Sequence, residues 1–500
     1  MHRSPPTPAA RWLERGLVVC LFLFALAAPH SIAAAQTAWL LAMLLWAGRL
    51  ALLRPRPALR RTPVDYALLG FFILTFFSAL LSYDPYVSIG KLRAASLFTI
   101  VYVVAQNVSS GRVLRALALV LVASCAVNVV YTFGAFAVGR GIKIEGLRSD
   151  SALYAAGVRA GDTILEVDGR RVEDSEMLAG WLSARASGAP EHARVRVYRL
   201  ESYPVFEVKN GRNFDGDTPE TRLGITRSSA GRDERAHGFY GHYVTYAEVL
   251  QLVASLALGL FVALRGKRSV RGALLALAVA GLLGALALTV TRAAWLGFLL
   301  SAFAVVFTGA SRRTLLVLAA VAVPLALVGL FVLQQKRQVG FIDPKEGSTA
   351  WRLMVYRESF DLLVSRPRHM LVGVGMDSIK RHYREWGLFD KGRQNTGHLH
   401  STPLQLAVER GLPTLFLWLA LVFIYGRMLW RLARTPGVVV DWVERGVVLG
   451  ALGGLVGFVA SGMVHYNLGD SEVVMIFYFI MGLALVVERR AREGVGGETV

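Results

Sequence analysis

Long apolar runs alternate with short basic connections along most of the chain. Several runs are near the ~20 residues that a helix needs to cross a bilayer, and a few are shorter. The pattern predicts twelve membrane helices, at roughly 16–30, 34–53, 64–82, 92–107, 112–138, 242–264, 270–290, 292–308, 314–334, 413–431, 445–464 and 472–488. The chain is therefore predicted to be an all-α polytopic membrane protein.

Two long stretches without a membrane-spanning run interrupt this pattern. They divide the chain into five predicted regions, which are helices 1–5 at 1–138, an insertion with its linker at 139–236, helices 6–9 at 237–334, a large loop at 335–412, and helices 10–12 with a tail at 413–500.

Basic residues in the connections predict the orientation. The short loops 29–33, 83–91 and 465–471 contain one basic residue, Lys91, whereas the connections between them are rich in arginine. Because basic loops stay in the cytoplasm, both termini are expected there, and the insertion, the large loop and the turn at 290–292 face the other side. This topology argues against a cleaved signal peptide at the first segment.

Composition supports a membrane protein and excludes some other classes. The 500 residues are 54% hydrophobic and 18% charged, with a mean hydropathy of +0.47. The net charge of +20 follows from the topology of the loops, so we predict no nucleic-acid partner. Cys20 and Cys125 both lie in apolar runs, which supports neither a disulfide framework nor a zinc site.

The insertion has the pattern of a small α+β domain. Residues 151–157 predict a short helix stopped by Gly157, and 163–172 predict a hairpin that turns at Asp168-Gly169. A capped helix is expected at 174–185 and a strand at 194–200.

A short helix is predicted where the large loop meets the tenth membrane helix. Thr402 suits its N-cap, Pro403 its first turn, and Gln405 a capping box. Gly411 and Pro413 then end this helix and begin the next one.

His400 lies just before this helix, at a predicted membrane surface. A helix N-terminus disfavours a charged imidazolium, so we expect a neutral, proton-accepting ring. A hydrogen-bonded interfacial histidine is an equally good interpretation at this point. His398 and His400 have the spacing of a chelating pair, but no third ligand is evident, and we predict neither a metal nor another cofactor.

Two arginines stand out on the same predicted face. Arg292 lies between two apolar runs with almost no loop, where an ionisable residue is expensive and usually functional. Arg235 precedes glycines and His242, so it either holds an anionic headgroup or extends to the interface. Two arginines and a neutral histidine fit a diphosphate and a nucleophile-activating base.

The large loop has features of its own. Residues 350–363, which include Arg352, have the apolar spacing of a surface helix. Gly373-Val-Gly375 is not a phosphate loop, because it has no Walker lysine. Positions 336–393 hold twelve Lys and Arg against seven Asp and Glu, which suits an acidic substrate as well as an ordinary basic face.

The insertion resembles the core of bacterial PDZ domains through the run SALYAAGVRAGDTILEVDGRRV. In this resemblance Gly139, Gly141 and Ile142 stand for the carboxylate-binding loop. It implies that a peptide partner is bound as an added strand. A spacer or docking platform without a peptide ligand remains open.

Several motifs together resemble the O-antigen ligase and polymerase superfamily of bacterial envelope glycosyltransferases. His400-Ser401, followed after nine residues by Gly411-Leu-Pro-Thr414, fits the ligase histidine motif. Thr291 to Gly297 resembles the central arginine motif and Arg235 to Ala247 the first one. Arg352 with Gly373 and Gly375 resembles the loop pattern before the histidine.

The resemblance implies a GT-C-type fold in the bacterial inner membrane. A glycan would pass from undecaprenyl diphosphate to an acceptor hydroxyl at the periplasmic face, without a metal and with inversion. His400 would be the general base, and Arg235 and Arg292 would bind the diphosphate. The possible accessory residues are His242, Arg352, Gly373, Gly375 and His398. Common ligases lack the PDZ-like insertion, so the resemblance does not carry over their lipid acceptor, and a lipid, a polysaccharide or a protein acceptor is expected.

Alternatives remain within and outside this superfamily. The histidine motif favours ligation over polymerisation, and a protein O-oligosaccharyltransferase stays open. A transporter or a scaffold that recruits a partner through the insertion belongs to another class. Transport predicts ionisable residues at mid-membrane in several helices. Here the candidates gather at one interface, which favours surface chemistry.

Overall fold

The chain forms two compact units. The computed structural model describes residues 8–52, 58–183, 192–199, 202–209, 217–310, 347–394, 397–435 and 437–497. Packing separates Met1–Asn128 and Phe239–Val500, the larger unit, from Val129–Gly238, the smaller unit.

Helices account for most of the described residues. In chain order they are α1 (Pro8–Ala27), α2 (Ile32–Leu52), α3 (Asp65–Leu80), α4 (Pro85–Ala95), α5 (Thr99–Asn107), α6 (Gly111–Val138), α7 (Ala152–Ala155), α8 (Ser175–Ser183), α9 (Pro219–Arg222), α10 (Tyr243–Ala263), α11 (Val270–Leu288), α12 (Arg292–Gly309), α13 (Gly347–Val364), α14 (Pro367–Val372), α15 (Ile379–His382), α16 (Leu388–Gly392), α17 (Thr402–Arg410), α18 (Leu412–Arg434), α19 (Trp442–Gly462) and α20 (Ser471–Gly497).

The protein is a polytopic membrane protein, as the apolar runs predicted. Nine helical stretches among the described residues are long and apolar enough to cross a bilayer. The predicted helix at 314–334 lies outside the described residues, so the count of twelve stays a prediction. α3 is apolar but has only 16 residues.

The predicted start of the fourth membrane helix is wrong. The fourth membrane helix was expected at 92–107, but helical structure begins at Pro85 and passes through a 3-10 turn at Ser96–Phe98 before α5. Pro85 suits the first turn of a helix, and the mixed polarity of 85–91 concealed this start.

α10, α19 and α20 form the centre of the larger unit. Within their apolar windows, 83%, 72% and 89% of the residues are buried. Glycines allow α10 and α19 to approach closely, because a Cβ on Gly259 would lie 2.5 Å from Gly446 O and 2.7 Å from Gly450 Cα. Small residues at such a crossing let helix backbones meet inside a membrane.

A polar network crosses the same interface. Gln251 of α10 donates to Ser301 Oγ of α12 at 2.7 Å, and Ser301 donates to Gly453 O of α19 at 2.6 Å. Glu248 Oε2 accepts from Ser461 Oγ at 2.7 Å. Because no water competes there, these bonds fix how the three helices face one another.

The smaller unit contains an antiparallel sheet. Its strands are β1 (Ile142–Leu147), β2 (Thr163–Val167), β3 (Arg170–Arg171), β4 (His192–Tyr198), β5 (Val205–Lys209) and β6 (Ile225–Ala230). Their order is β5-β4-β2-β1-β6, with β3 paired to β2. Alternate residues of β4 are buried, which is typical of a sheet with one covered face.

The local predictions for 151–157 and 163–172 of the insertion are confirmed. Ser151 caps α7, and Gly157 follows the helix at a φ of 108°. β2 and β3 form the hairpin, with Asp168 and Gly169 at φ values of 50° and 78°. The small sheet is present, while its assignment to the PDZ family stays a prediction.

The glycine contact between α10 and α19 is testable with Gly259→Val. The added side chain would overlap the α19 backbone. We therefore expect the free energy of unfolding to fall by about 1–3 kcal/mol and the thermal unfolding midpoint in detergent to be lower. Gly134→Val is the matched control, because no atom lies within 4 Å of a Cβ at that position. Equal midpoints for the two variants would contradict this account of the packing.

Candidate functional site

The histidine segment ends in a capped helix, although the cap differs from the prediction. Ser401, not Thr402, is the N-cap of α17, and its hydroxyl accepts from Leu404 N. Gln405 Oε1 accepts from Leu399 N at 2.7 Å, so this side chain does reach back over the helix start. The helix ends at Gly411, with a φ of 82°, as predicted.

Thr402 has a different task, because it anchors α17 to the turn between α19 and α20. Its backbone N–H donates to His465 O at 3.1 Å, and its hydroxyl lies 2.9 Å from Asn467 Oδ1. Asn467 in turn donates to Phe458 O at 2.8 Å and contacts Glu248 Oε2 at 3.5 Å. The start of the histidine helix is thereby connected to the polar network of the helix bundle.

Gly373 and Gly375 allow this segment of the large loop to pack against the end of α17. Val374 N donates to Val408 O at 2.9 Å, and Gly375 N donates to Glu409 O at 2.8 Å. A Cβ on Gly375 would overlap Ser82, and its φ of 99° also favours glycine. The glycine pair thus has a packing role, and its predicted accessory role in the reaction remains a prediction.

His400 has an unusual backbone conformation. Its φ is 51°, in a region that residues other than glycine adopt infrequently. Tyr356 donates to its carbonyl oxygen at 2.8 Å, and the ring of Trp351 is nearly perpendicular to the His400 ring, with the centroids 5.1 Å apart. Strained backbone held by its neighbours is common at functional sites.

Three histidines form a neutral cluster here. Burial lowers the pKa of His400 to about 3, assisted by the charges of His398, Arg352 and His242. Burial likewise lowers the pKa of His398 to about 4 and that of His465 to about 3. This lowering has the direction predicted for His400, but its first cause is burial and not the helix N-terminus, and the role of the ring as a proton acceptor stays a prediction.

The cluster borders a cavity of about 580 Å³ in the larger unit. His242, His398 and His465 line it, together with Lys380 and Arg410. His400 is adjacent, since its ring centroid lies 4.1 Å from that of His398. The cavity therefore combines proton-accepting rings with cationic side chains.

The predicted arginines lie at different places. Arg292 begins α12, and Gly297 one turn further packs against Gly457 and Ser461 near the end of α19. This puts Arg292 at the same end of the bundle as His465. Arg352, on α13, is close enough to act on the pKa of His400.

Arg235 and the predicted carboxylate loop belong to the smaller unit. Arg235 follows β6, and its role in binding a diphosphate remains a prediction. Gly139 and Gly141 have φ values of 86° and 73° and precede β1, which begins at Ile142. β1 pairs with β2 on one side and β6 on the other, so a peptide next to Ile142 would have to displace a strand.

Sequence reasoning missed part of the cavity wall. His465 was overlooked because it lies in a short loop far from the histidine motif. Glu409 and Arg410, at the end of the predicted short helix, were given no role, yet both are buried. The signal that was available is a charged pair immediately before the glycine that ends the helix.

The described residues contain no group of three or more His, Cys, Asp or Glu that would hold a metal ion. His398 Nδ1 accepts from His400 N at 3.3 Å, and His242 Nδ1 accepts from Val244 N at 3.2 Å. These ring nitrogens are therefore engaged with the backbone.

Comparison with known families adds an independent observation. Residues 277–419 match the O-antigen ligase family model. The matched region contains Arg292, Arg352 and His400, and it supports the superfamily that the motifs indicated. Arg235 and the smaller unit lie outside it. No curated protein matches the chain.

The anchoring of α17 is testable with Thr402→Val, which keeps the shape and removes the hydroxyl. Asn467 and His465 O would each lose a buried partner, so we expect a cost of about 1–3 kcal/mol in the free energy of unfolding. Thr37→Val is the control, because that hydroxyl is exposed and bonds only to Ala33 O of its own helix. Thermal unfolding of both variants in detergent measures the difference, and equal stabilities would contradict the anchoring role.

Proposed function

We propose that this protein transfers a glycan from a polyprenyl diphosphate, of the undecaprenyl type, to an acceptor hydroxyl at the periplasmic face of the bacterial inner membrane. The family match supports a glycan ligase or polymerase in general terms. The neutral histidine cluster beside the cavity is the observation that carries the proposal further, because a transfer to a hydroxyl needs a proton acceptor.

The proposed step breaks one bond and forms one bond. The acceptor oxygen attacks the anomeric carbon of the donor sugar while its proton moves to the ring of His400. The bond between that carbon and the diphosphate oxygen breaks, and the diphosphate leaves with the electron pair. Arg292 and Arg235 are proposed to stabilise the added negative charge. Attack opposite the leaving group inverts the anomeric centre.

The low pKa of His400 fits this role only when the donor is bound. A free ring with a pKa of about 3 is neutral but weakly basic. A bound diphosphate adds negative charge near Arg352 and the histidines, which favours the imidazolium and raises the pKa of the ring. The donor would therefore turn the ring into a better base at the moment it is required.

Ligation of a preassembled glycan is the favoured reaction, with polymerisation and protein O-glycosylation as members of the same class. The smaller unit is proposed to recruit an acceptor or an envelope partner. If it binds a peptide as an added strand, the peptide would pair with β5 or β6, because these two strands form the outer edges of the sheet and both sides of β1 are already paired.

The general-base role predicts that His400→Ala reduces glycan transfer by about 10²- to 10⁴-fold, since the proton acceptor is lost. The measurement is single-turnover transfer from a purified lipid-linked glycan to its acceptor. His192→Ala, on the exposed face of β4, should leave the rate unchanged.

His398→Ala provides the critical comparison, because His398 lines the cavity next to His400. The proposed roles require a larger loss for His400→Ala than for His398→Ala. Transfer near the wild-type rate in a folded His400→Ala protein would show that His400 is not the base.

The negative charge of the donor predicts how the transfer rate depends on pH. Protonation of His400 abolishes its ability to accept a proton, so the rate falls as the pH drops through its pKa. Because a bound diphosphate raises that pKa, the acid limb of kcat should lie at higher pH than the acid limb of kcat/KM for the donor. Because the pKa of the free ring is about 3, initial rates between about pH 2.5 and pH 8 test this order, and the reverse order contradicts it.

A further inference from the structure

Arg410 is a buried cation on the wall of the cavity. It is the last residue of α17, only 6% exposed, and it lines the cavity with His398 and His465. Its guanidinium carbon lies 5.5 Å from the centre of the Phe71 ring. Neither the histidine motif nor the arginine motifs of the sequence include this residue.

The guanidinium of Arg410 is poorly satisfied by the protein. Nη1 lies 3.5 Å from Thr75 Oγ1 and Nη2 lies 3.3 Å from Tyr466 Oη, both long contacts to neutral hydroxyls. Nε is buried without a hydrogen-bond partner among the described residues. Within the same residues Arg410 forms no ion pair. A buried charge in this state is costly unless a counter-ion joins it.

The acidic groups of the wall are engaged elsewhere. Asp377 is paired with Lys91 at 2.8 Å and with Lys380 at 3.0 Å. Glu409 accepts from the backbone N–H of Asp377 at 2.8 Å, and Asp470 accepts from Thr245 at 2.7 Å.

Burial also weakens the negative charge of two of these groups. It raises the pKa of Glu409 to about 7, although the charge of the neighbouring Arg410 lowers it, and it raises the pKa of Asp470 to about 6. Burial raises the pKa of Tyr466 to about 12, so this hydroxyl stays neutral and does not balance Arg410. The cavity thus presents a buried positive charge towards an occupant.

We propose that the cavity binds a phosphate group carried by a lipid, and that Arg410 is the counter-ion of this group. The source that we favour is the diphosphate of the donor, an assignment that rests on the proposed function. Arginine suits this task because its planar donors match phosphate oxygens. The contacts with Thr75 and Tyr466 hold the guanidinium in place at the cavity wall.

A purely structural Arg410 makes a different prediction for stability. If Arg410 served only to join α3 to the α19–α20 turn, its replacement by methionine would destabilise the protein. If Arg410 instead serves to bind a ligand, its replacement by methionine should not destabilise the protein, because an apolar side chain of similar size removes the desolvation cost of the buried charge. Arg410→Met should therefore unfold at the same temperature as the wild type or at a higher one in the absence of lipid.

The binding experiment follows thermal unfolding of the detergent-purified full chain during titration with undecaprenyl diphosphate. We expect Arg410→Met to weaken the apparent affinity by about 10- to 100-fold and Arg410→Lys to weaken it less. Arg112→Met, an exposed arginine at the start of α6, should bind as the wild type does. Affinity within twofold of the wild type for Arg410→Met would overturn the proposal.

Two further arms identify the source of the phosphate. Phosphatidylglycerol that stabilises the wild type through Arg410, while undecaprenyl diphosphate does not, would support the anion site and overturn its assignment to the donor. Inorganic diphosphate reports whether the headgroup alone suffices, and stabilisation that Arg410→Met abolishes supports the proposal.

A failure of the proposed role of Arg410 can be distinguished from a failure of the proposed function. Loss of transfer in His400→Ala with unchanged lipid binding in Arg410→Met overturns only the role of Arg410. Lipid binding that depends on Arg410, in a protein whose His400→Ala variant still transfers glycan, overturns only the general base. If Arg410→Met does not fold, Arg410→Lys and Tyr466→Phe supply the same comparison.

Discussion

The buried amide of Asn467 is the interaction on which the candidate site depends. It lies between Thr402 at the start of α17, Phe458 O of α19 and Glu248 of α10. Inside a membrane protein each of these polar groups needs a protein partner, because water is not available to replace it. The position of the histidine helix is therefore set by the same network that fixes the helix bundle, and a shift of either one breaks hydrogen bonds in both.

The histidines and Arg410 around the cavity share one electrostatic property, which is that each can interact favourably with a negatively charged ligand. The histidines are kept neutral by burial and by nearby positive groups, and Arg410 is kept charged without an ion pair among the described residues. The buried charge of Arg410 costs free energy unless a counter-ion joins it, whereas a neutral histidine costs little at pH 7 because its ordinary pKa is already below 7. A negatively charged ligand would pair with the arginine and would also favour protonated histidine. Binding and base activation would then be coupled through one charge.

The sequence predicted the helices well because apolar periodicity and length leave few alternatives inside a membrane. It also predicted the start of the histidine helix to within one residue. It failed at the cap, where Ser401 and Thr402 are both suitable and only the position of Asn467 decides between them. It failed at Pro85 because a helix of mixed polarity has no clear pattern. It gave His465 and Arg410 no role, since neither belongs to a recognisable motif.

The sequence by itself determined that this chain crosses a membrane many times, that an α+β insertion interrupts the helices, and that His400 precedes a helix N-terminus. These features follow from local composition and spacing, which act within a few residues of each other. Only the tertiary structure decided which charged groups are buried together, that β1 has no free edge, and that Arg410 faces the cavity shared with His398 and His465. Burial and pairing depend on residues that are distant in the chain, and local pattern carries no information about them.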